Sequence, residues 1–206
     1  MKDVIDLVDS IRVKSAKFQD DLANTYRMSP QDPPIGALGI SHNNAVMTLE
    51  LLDFYHRIWG TVPASAVPDP ERTKKENAER VMVATKSMFI MCLSGFEFSA
   101  KQAILARPGG IHLPSGRTYL RAIMDASAKQ SLISPETQKL WAGAIAIRNC
   151  LVHNNGIADK NAEYGFPGLT VKLVVGQMAQ GTLKFFPILT DWTVKAFADW
   201  CRTFLQ

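Results

Sequence analysis

Apolar residues recur at helical spacing along most of this chain. From residue 3 to 27, Val4, Ile5, Val8, Ile11, Phe18 and Leu22 return every few positions with charges between them, which predicts an amphipathic helix. Ser29-Pro30-Gln31-Asp32-Pro33-Pro34-Ile35-Gly36 breaks the pattern. Ser41 then reads as the N-cap of a helix to about Trp59, with Val46, Leu49, Leu52, Phe54 and Ile58 as its apolar members. The stretch from Val62 to Pro70 holds three prolines and predicts a second break. A long helix follows over about Arg72 to Ala106. Its first half is charged, and its second half runs through Met88-Phe89-Ile90-Met91-Cys92-Leu93, apolar all round and so expected to be buried. Glu97 and Lys101 stand at i,i+4 spacing inside it, where they can pair.

Arg107-Pro108-Gly109-Gly110 stops this helix. A basic loop with Arg107, His112, Arg117 and Arg121 follows, with no acid before Asp125, and a short helix is expected over about Thr118 to Lys129. Ser134-Pro135-Glu136 supplies an N-cap, a proline at the first helical position and an acid in the first turn. That helix should run to His153, where Asn154-Asn155-Gly156 ends it, because Asn and Gly tolerate the left-handed conformation. The period then changes. Leu169, Val171, Leu173 and Val175 alternate along the chain, Gly176 to Gly181 reads as a turn, and Thr182 to Ile188 is a second β-rich run. This predicts a hairpin over about 168–188. Thr190 or Asp191 would cap a last helix to about Phe204, with Trp192, Val194, Phe197, Trp200 and Phe204 on its apolar side. The predicted fold is an all-α, mainly helical bundle with a β-hairpin inserted before the last helix. Residues 1–40 form an N-terminal helix and linker, and 41–206 form the bundle.

Composition changes this picture little. The 206 residues are 47% hydrophobic and 20% charged, enough to bury a core, and the formal net charge of +4 is mild. Such a charge does not by itself imply nucleic acid, although clustered it can serve a polyanion. Cys92, Cys150 and Cys201 are odd in number, widely spaced and without a CxxC pair, which argues against a disulfide framework or a zinc site. The cysteine usage fits a reducing, cytoplasmic setting. The charged N-terminus does not read as a signal peptide, and no run of about 18 apolar residues predicts a membrane span.

The chemically informative stretch is Arg148-Asn149-Cys150-Leu151-Val152-His153-Asn154-Asn155-Gly156, at the end of the capped helix. Arg148 and His153 are separated by about 140° in helical projection, whereas Asn149 and His153 share a face. Asn149 can therefore orient the imidazole while Arg148 grips an anion from a neighbouring face. Histidine can act as acid or base near neutral pH, and the arginine fork can stabilise charge on a phosphate. The spacing also occurs between Arg107 and His112, but there Pro-Gly-Gly forbids a helix.

The Arg148 stretch resembles the signature of the HEPN superfamily, in which an Arg, often followed by a polar residue, precedes a His by four to six residues late in a helical bundle. The likeness covers about ten residues strongly, and roughly 41–206 through the bundle pattern. It implies a metal-independent endoribonuclease without cofactor, in which the RNA 2′-hydroxyl attacks the adjacent phosphate. Arg148, Asn149 and His153 would be catalytic. Asn154, Arg107, Arg117 and Arg121 would contact the RNA, and Glu97 would support the site. One histidine cannot be base and acid in the same step without a shuttle, and in catalytic members of this superfamily a homodimer supplies two. The resemblance also implies a toxin–antitoxin or phage-defence setting, with an antitoxin protein as partner. Two other readings stay open. One is a non-catalytic module of the same shape that binds a nucleotide or a protein. The other is structural: a histidine in a helix's last turn complements the helix dipole, and Asn154-Asn155-Gly156 merely stops the helix.

Overall fold

The structure, a computed structural model, describes residues 1–61, 67, 69–107, 110–113, 118–179 and 181–206, with 59–61 as backbone only. The chain is 72% helix. The described elements are helices α1 (Lys2–Tyr26), α2 (Pro33–Thr61), α3 (Pro70–Leu105), α4 (Leu120–Lys129) and α5 (Pro135–His153), strands β1 (Ala162–Phe166) and β2 (Leu169–Leu173), and helix α6 (Phe185–Leu205).

The helix ends follow local chemistry. Asp69 caps α3, its carboxylate accepting from the Arg72 amide at 3.0 Å, and Ser134 caps α5, accepting from the Thr137 amide at 3.1 Å. Helix α2 corrects the expectation that Ser41 is an N-cap. It begins eight residues earlier at Pro33, with the Asp32 carbonyl accepting from the Gly36 amide at 3.0 Å. Proline has no N–H to lose and a suitable φ, so a Pro pair that reads as a breaker also suits a first turn. Ser41 lies buried in the helix and donates its hydroxyl to the Ala37 carbonyl.

The hairpin needs a second correction. Leu169–Leu173 is a strand, but its antiparallel partner is Ala162–Phe166 upstream, with Tyr164 opposite Val171. The turn is Pro167-Gly168, with Gly168 at φ 75°, a conformation open to glycine. The run Thr182 to Ile188 is not a strand. Helix α6 starts at Phe185, ahead of Thr190 and Asp191, and takes Pro187 into its first turn.

Packing is organised around α3. Helices α1, α2, α3 and α6 form the main layer, where Val8, Ile11, Leu38, Leu52, Phe96 and Phe197 are buried together. The Phe96 and Phe197 rings stack at 4.3 Å. A second cluster joins Phe89 and Leu93 of α3 to Ile147 of α5, to Tyr164 and Val171 of the hairpin, and to Phe185 and Phe186. Trp192 bridges the two, edge-on to Trp141 at 5.4 Å and to Phe166 at 5.1 Å. Trp200 Nε1 donates to Ser127 Oγ at 3.0 Å, which ties α6 to α4.

The Met88–Leu93 run is not buried all round, because Met91 is 51% exposed and so is Phe98 beyond it, at 63%. By length and composition α3 is the one described helix apolar enough to cross a membrane, with mean hydropathy 1.4 over 18 residues. Here its Phe89, Cys92 and Phe96 are core residues.

Helix α5 accepts the hairpin at Gly143, where an added Cβ would stand 2.6 Å from Tyr164 Cγ. Gly143→Ala should therefore lower the melting temperature. Overpacking of about 1–3 kcal/mol is only partly offset by the ~1 kcal/mol helix preference of alanine. A variant as stable as wild type would mean that the hairpin does not seat there.

All three cysteines are free and buried. Burial pushes the Cys92 thiol up to about 12 and raises that of Cys201 as well. Below about pH 9 these thiols are protonated in both states, and their packing contribution is intact. Above it the unfolded chain ionises first, so stability should fall as pH rises. Denaturation midpoints at about pH 8 and about pH 10 will check this. A thiol reagent should leave the native chain unlabelled and react with all three cysteines after unfolding.

Candidate functional site

Backbone hydrogen bonds hold the C-terminal turn of α5. Amides of Asn154 and Gly156 both return to the Cys150 carbonyl, at 3.1 and 2.8 Å, and Asn155 and Gly156 take φ of 52° and 86°. The following segment is zipped to the loop after β2. The Ala158 amide donates to the Gln177 carbonyl at 2.9 Å, and the Ala179 amide to the Gly156 carbonyl at 2.8 Å. His153, the last helical residue, thus sits on a fixed helix end with an exposed ring.

Arg148, one turn back, is half-buried against α3. Its Nη2 lies 3.7 Å from Glu97 Oε2 and donates to Ser94 Oγ at 3.5 Å, and its Nη1 donates to Asn149 Oδ1 at 3.2 Å. Nε is sealed from solvent without a hydrogen-bond partner. Glu97 is the organiser here. Its Oε1 accepts from the Leu120 amide at 3.3 Å, at the N-terminus of α4, where Tyr119 offers no side-chain cap. A carboxylate there satisfies an orphan amide and complements the helix dipole. The same group faces a guanidinium, so one side chain registers α3, α4 and α5 together. The expected i,i+4 pair with Lys101 is replaced by the pair with Arg148, because Glu97 turns toward α5.

These residues border a cleft of about 400 Å³ that brings Glu97, Arg121, Arg148, Asn149 and His153 together. Tyr119 and Lys160 line it too, and sequence reasoning passed over both. The available signal was weak: an aromatic between two arginines of the basic loop, and a lysine seven residues after His153. Arg121 reaches the cleft already engaged, its Nε bonded to both Asp125 oxygens at 3.0 Å. Asn149 differs from its expected partner, since its side-chain oxygen serves Arg148 rather than the imidazole.

Other expected contacts lie elsewhere. Arg107 caps the end of α6, donating to the carbonyls of Phe204 and Leu205 at 3.4 and 3.2 Å, with its guanidinium 5.8 Å from the Phe204 ring. It belongs to the helix terminus and not to the cleft. Asn154 is exposed beside the cleft and does not line it. Arg117 lies outside the described residues. Among the described residues no three His, Cys, Asp or Glu side chains gather as a metal site.

The cleft thus sets Lys160 and the ring of His153 beside two arginines that already hold carboxylates, Arg121 with Asp125 and Arg148 with Glu97. This arrangement keeps a positive balance for an anionic group with a proton donor or acceptor beside it. Comparison with models of known protein families, with curated proteins and with solved structures finds no match for this chain.

Glu97→Ala should loosen this corner without unfolding the bundle. The amide of Leu120 should exchange with solvent faster, and global stability should drop by about 1 kcal/mol or less, since the pair is partly solvated. Unchanged exchange at Leu120 would remove Glu97 from its organising role.

Proposed function

We propose that the chain is a metal-independent endoribonuclease of the HEPN type, acting in the cytoplasm as a homodimer. The observation that supports it best is the cleft that joins Arg148, held by Glu97 and Ser94, to His153 and Asn149 at the end of α5. The helical bundle with a hairpin before its last helix agrees with the reading.

In this reaction the 2′-oxygen of a ribose attacks the adjacent phosphorus and the bond to the 5′-oxygen breaks. The products are a 2′,3′-cyclic phosphate and a 5′-hydroxyl. A base must take the 2′-hydroxyl proton, and an acid must supply one to the leaving oxygen. His153 is exposed enough to reach either atom, and a second His153 from a partner copy supplies the other role. Arg148 faces the phosphate oxygens as negative charge builds on them. Its half-burial strengthens that interaction, and the Glu97, Ser94 and Asn149 contacts restrict its rotamers. Lys160 extends positive charge along the cleft toward a neighbouring phosphate, while the charge of Arg121 is offset by Asp125. The toxin or phage-defence role, with an antitoxin as neutralising partner, follows from the same resemblance.

Wild type should cleave a mixed RNA pool in excess chelator and leave cyclic-phosphate ends. His153→Ala should lose at least ~100-fold of that rate, the usual share of a general acid or base. Its fold should be unchanged, because the side chain is exposed. If His153→Ala cleaves as well as wild type, the assignment fails. Saturable nucleotide binding without cleavage would transfer the cleft to a binding module that uses Arg148 only as an anion contact.

A further inference from the structure

Away from the cleft, α2 and α3 share an apolar face. Met47, Leu51 and Phe54 of α2 and Val83, Met91 and Phe98 of α3 are each 45–63% exposed. Met47, Leu51, Val83 and Met91 flank one groove between the two helices. Ser94 and Phe98 continue the face to the recess where Arg148 lies. Along α3 the outward positions 84, 87, 91, 94, 98 and 101 follow the alternating three-and-four spacing of a helix–helix seam. Six such side chains, half exposed, present on the order of 600 Å², at the upper end of what a lone chain usually leaves to water and approaching the ~800 Å² per partner of a standard interface.

The seam on α3 also alternates in size: Ser87 small, Met91 large, Ser94 small, Phe98 large. Pairs 91 with 94 and 87 with 98 are centred on the same point, between residues 92 and 93. A two-fold axis at that level would set Met91 over Ser94 of a second copy and Phe98 over Ser87 of a second copy, each large side chain into a small position. We propose that this face joins two copies of the chain, with their α3 helices antiparallel and crossing at the level of residues 92 and 93. A self-complementary surface of this kind is what a two-fold dimer requires. The α2 residues extend the contact on either side, so the joint is a helical bundle of two α2–α3 pairs.

The site sits beside this joint. Arg148 donates to Ser94 Oγ, and Ser94 is one of the two residues next to the crossing point on the seam. The dimer therefore opens the two clefts near one another, each offering an Arg148 and a His153. That last link rests on the ribonuclease reading; the interface itself does not.

Sedimentation velocity over low to high micromolar concentrations tests the joint. Wild type should run at twice the 22.8 kDa of one chain. Phe98→Glu should run as a monomer with unchanged helix content, because Phe98 is 63% exposed in the single chain. The register is tested by oxidation. A chain with both Ser87→Cys and Phe98→Cys should form cross-linked dimers, and Ser87→Cys alone should not. A wild type that stays monomeric overturns the proposal, and flotation of that monomer with anionic vesicles would assign the face to a membrane. A dimer indifferent to Phe98→Glu overturns it equally. The RNA assay is read separately: a dimer that cleaves nothing sinks the ribonuclease reading alone, and a monomer that cleaves sinks this one.

Discussion

Burial of Phe89 and Phe96 on α3 is the interaction on which the rest of the molecule leans. Both rings are fully buried, one turn to either side of Cys92, and they face different partners. Phe96 stacks on Phe197 of α6, while Phe89 lies 5.9 Å from Phe186 in the cluster that holds α5 and the hairpin. Truncating a buried phenylalanine costs about 3–5 kcal/mol, a large share of the ~5–15 kcal/mol that keeps a domain folded. Losing either ring would release α3 from one of its two cores.

The same constraint sets the polar geometry. A residue following Phe96 is rotated by about 100° around the helix, so burying Phe96 against α6 aims Glu97 away from it, toward α4 and α5. There the carboxylate meets the Leu120 amide and the Arg148 guanidinium. Ser94 lies one turn before Phe98 and meets the same guanidinium. Core packing thus fixes the rotation of α3, and that rotation presents the two α3 groups that hold Arg148. The helix end bearing His153 is fixed separately, through backbone bonds between the 156–158 segment and the loop after β2. Residues from three helices converge because two apolar clusters leave them no other rotation.

A helix that satisfies two cores and still shows Met91 and Phe98 to water has a third face to account for. The apolar character of the Met88–Leu93 run fits its two cores together with the face proposed above to join two copies. In a solitary monomer that pattern would be wasteful, since exposed apolar surface contributes nothing to folding and invites association. As the joint of a dimer it becomes consistent with the rest of the helix.

Much of this was legible along the chain. Six helices were marked along the chain, most by the 3.6-residue period. The cap at Ser134 and the stop at Asn154 to Gly156 are local chemistry that sequence determines directly, whereas the Asp69 cap of α3, just before the expected start, went unread. Arg148, Asn149 and His153 were visible because a helix brings near neighbours together whatever surrounds it. Other features were decided only in three dimensions. Pro33-Pro34 serve a stop or a start equally well until the next helix packs. Leu169–Leu173 can pair upstream or downstream, and the Pro167-Gly168 turn together with the seat of Tyr164 on Gly143 selects upstream. Glu97 has Lys101 as a neighbour at close spacing and Arg148 as a neighbour across 51 positions, and tertiary packing chose the second. Arg107 reads as part of a basic loop, yet the end of α6 claims it. Local backbone preferences act within a turn or two, so sequence alone determined that the helices exist and how α5 begins and ends, but not where α2 and α6 start. Which groups meet across the fold depends on how helices rotate to bury their apolar faces, and that is settled only when all the faces are buried at once.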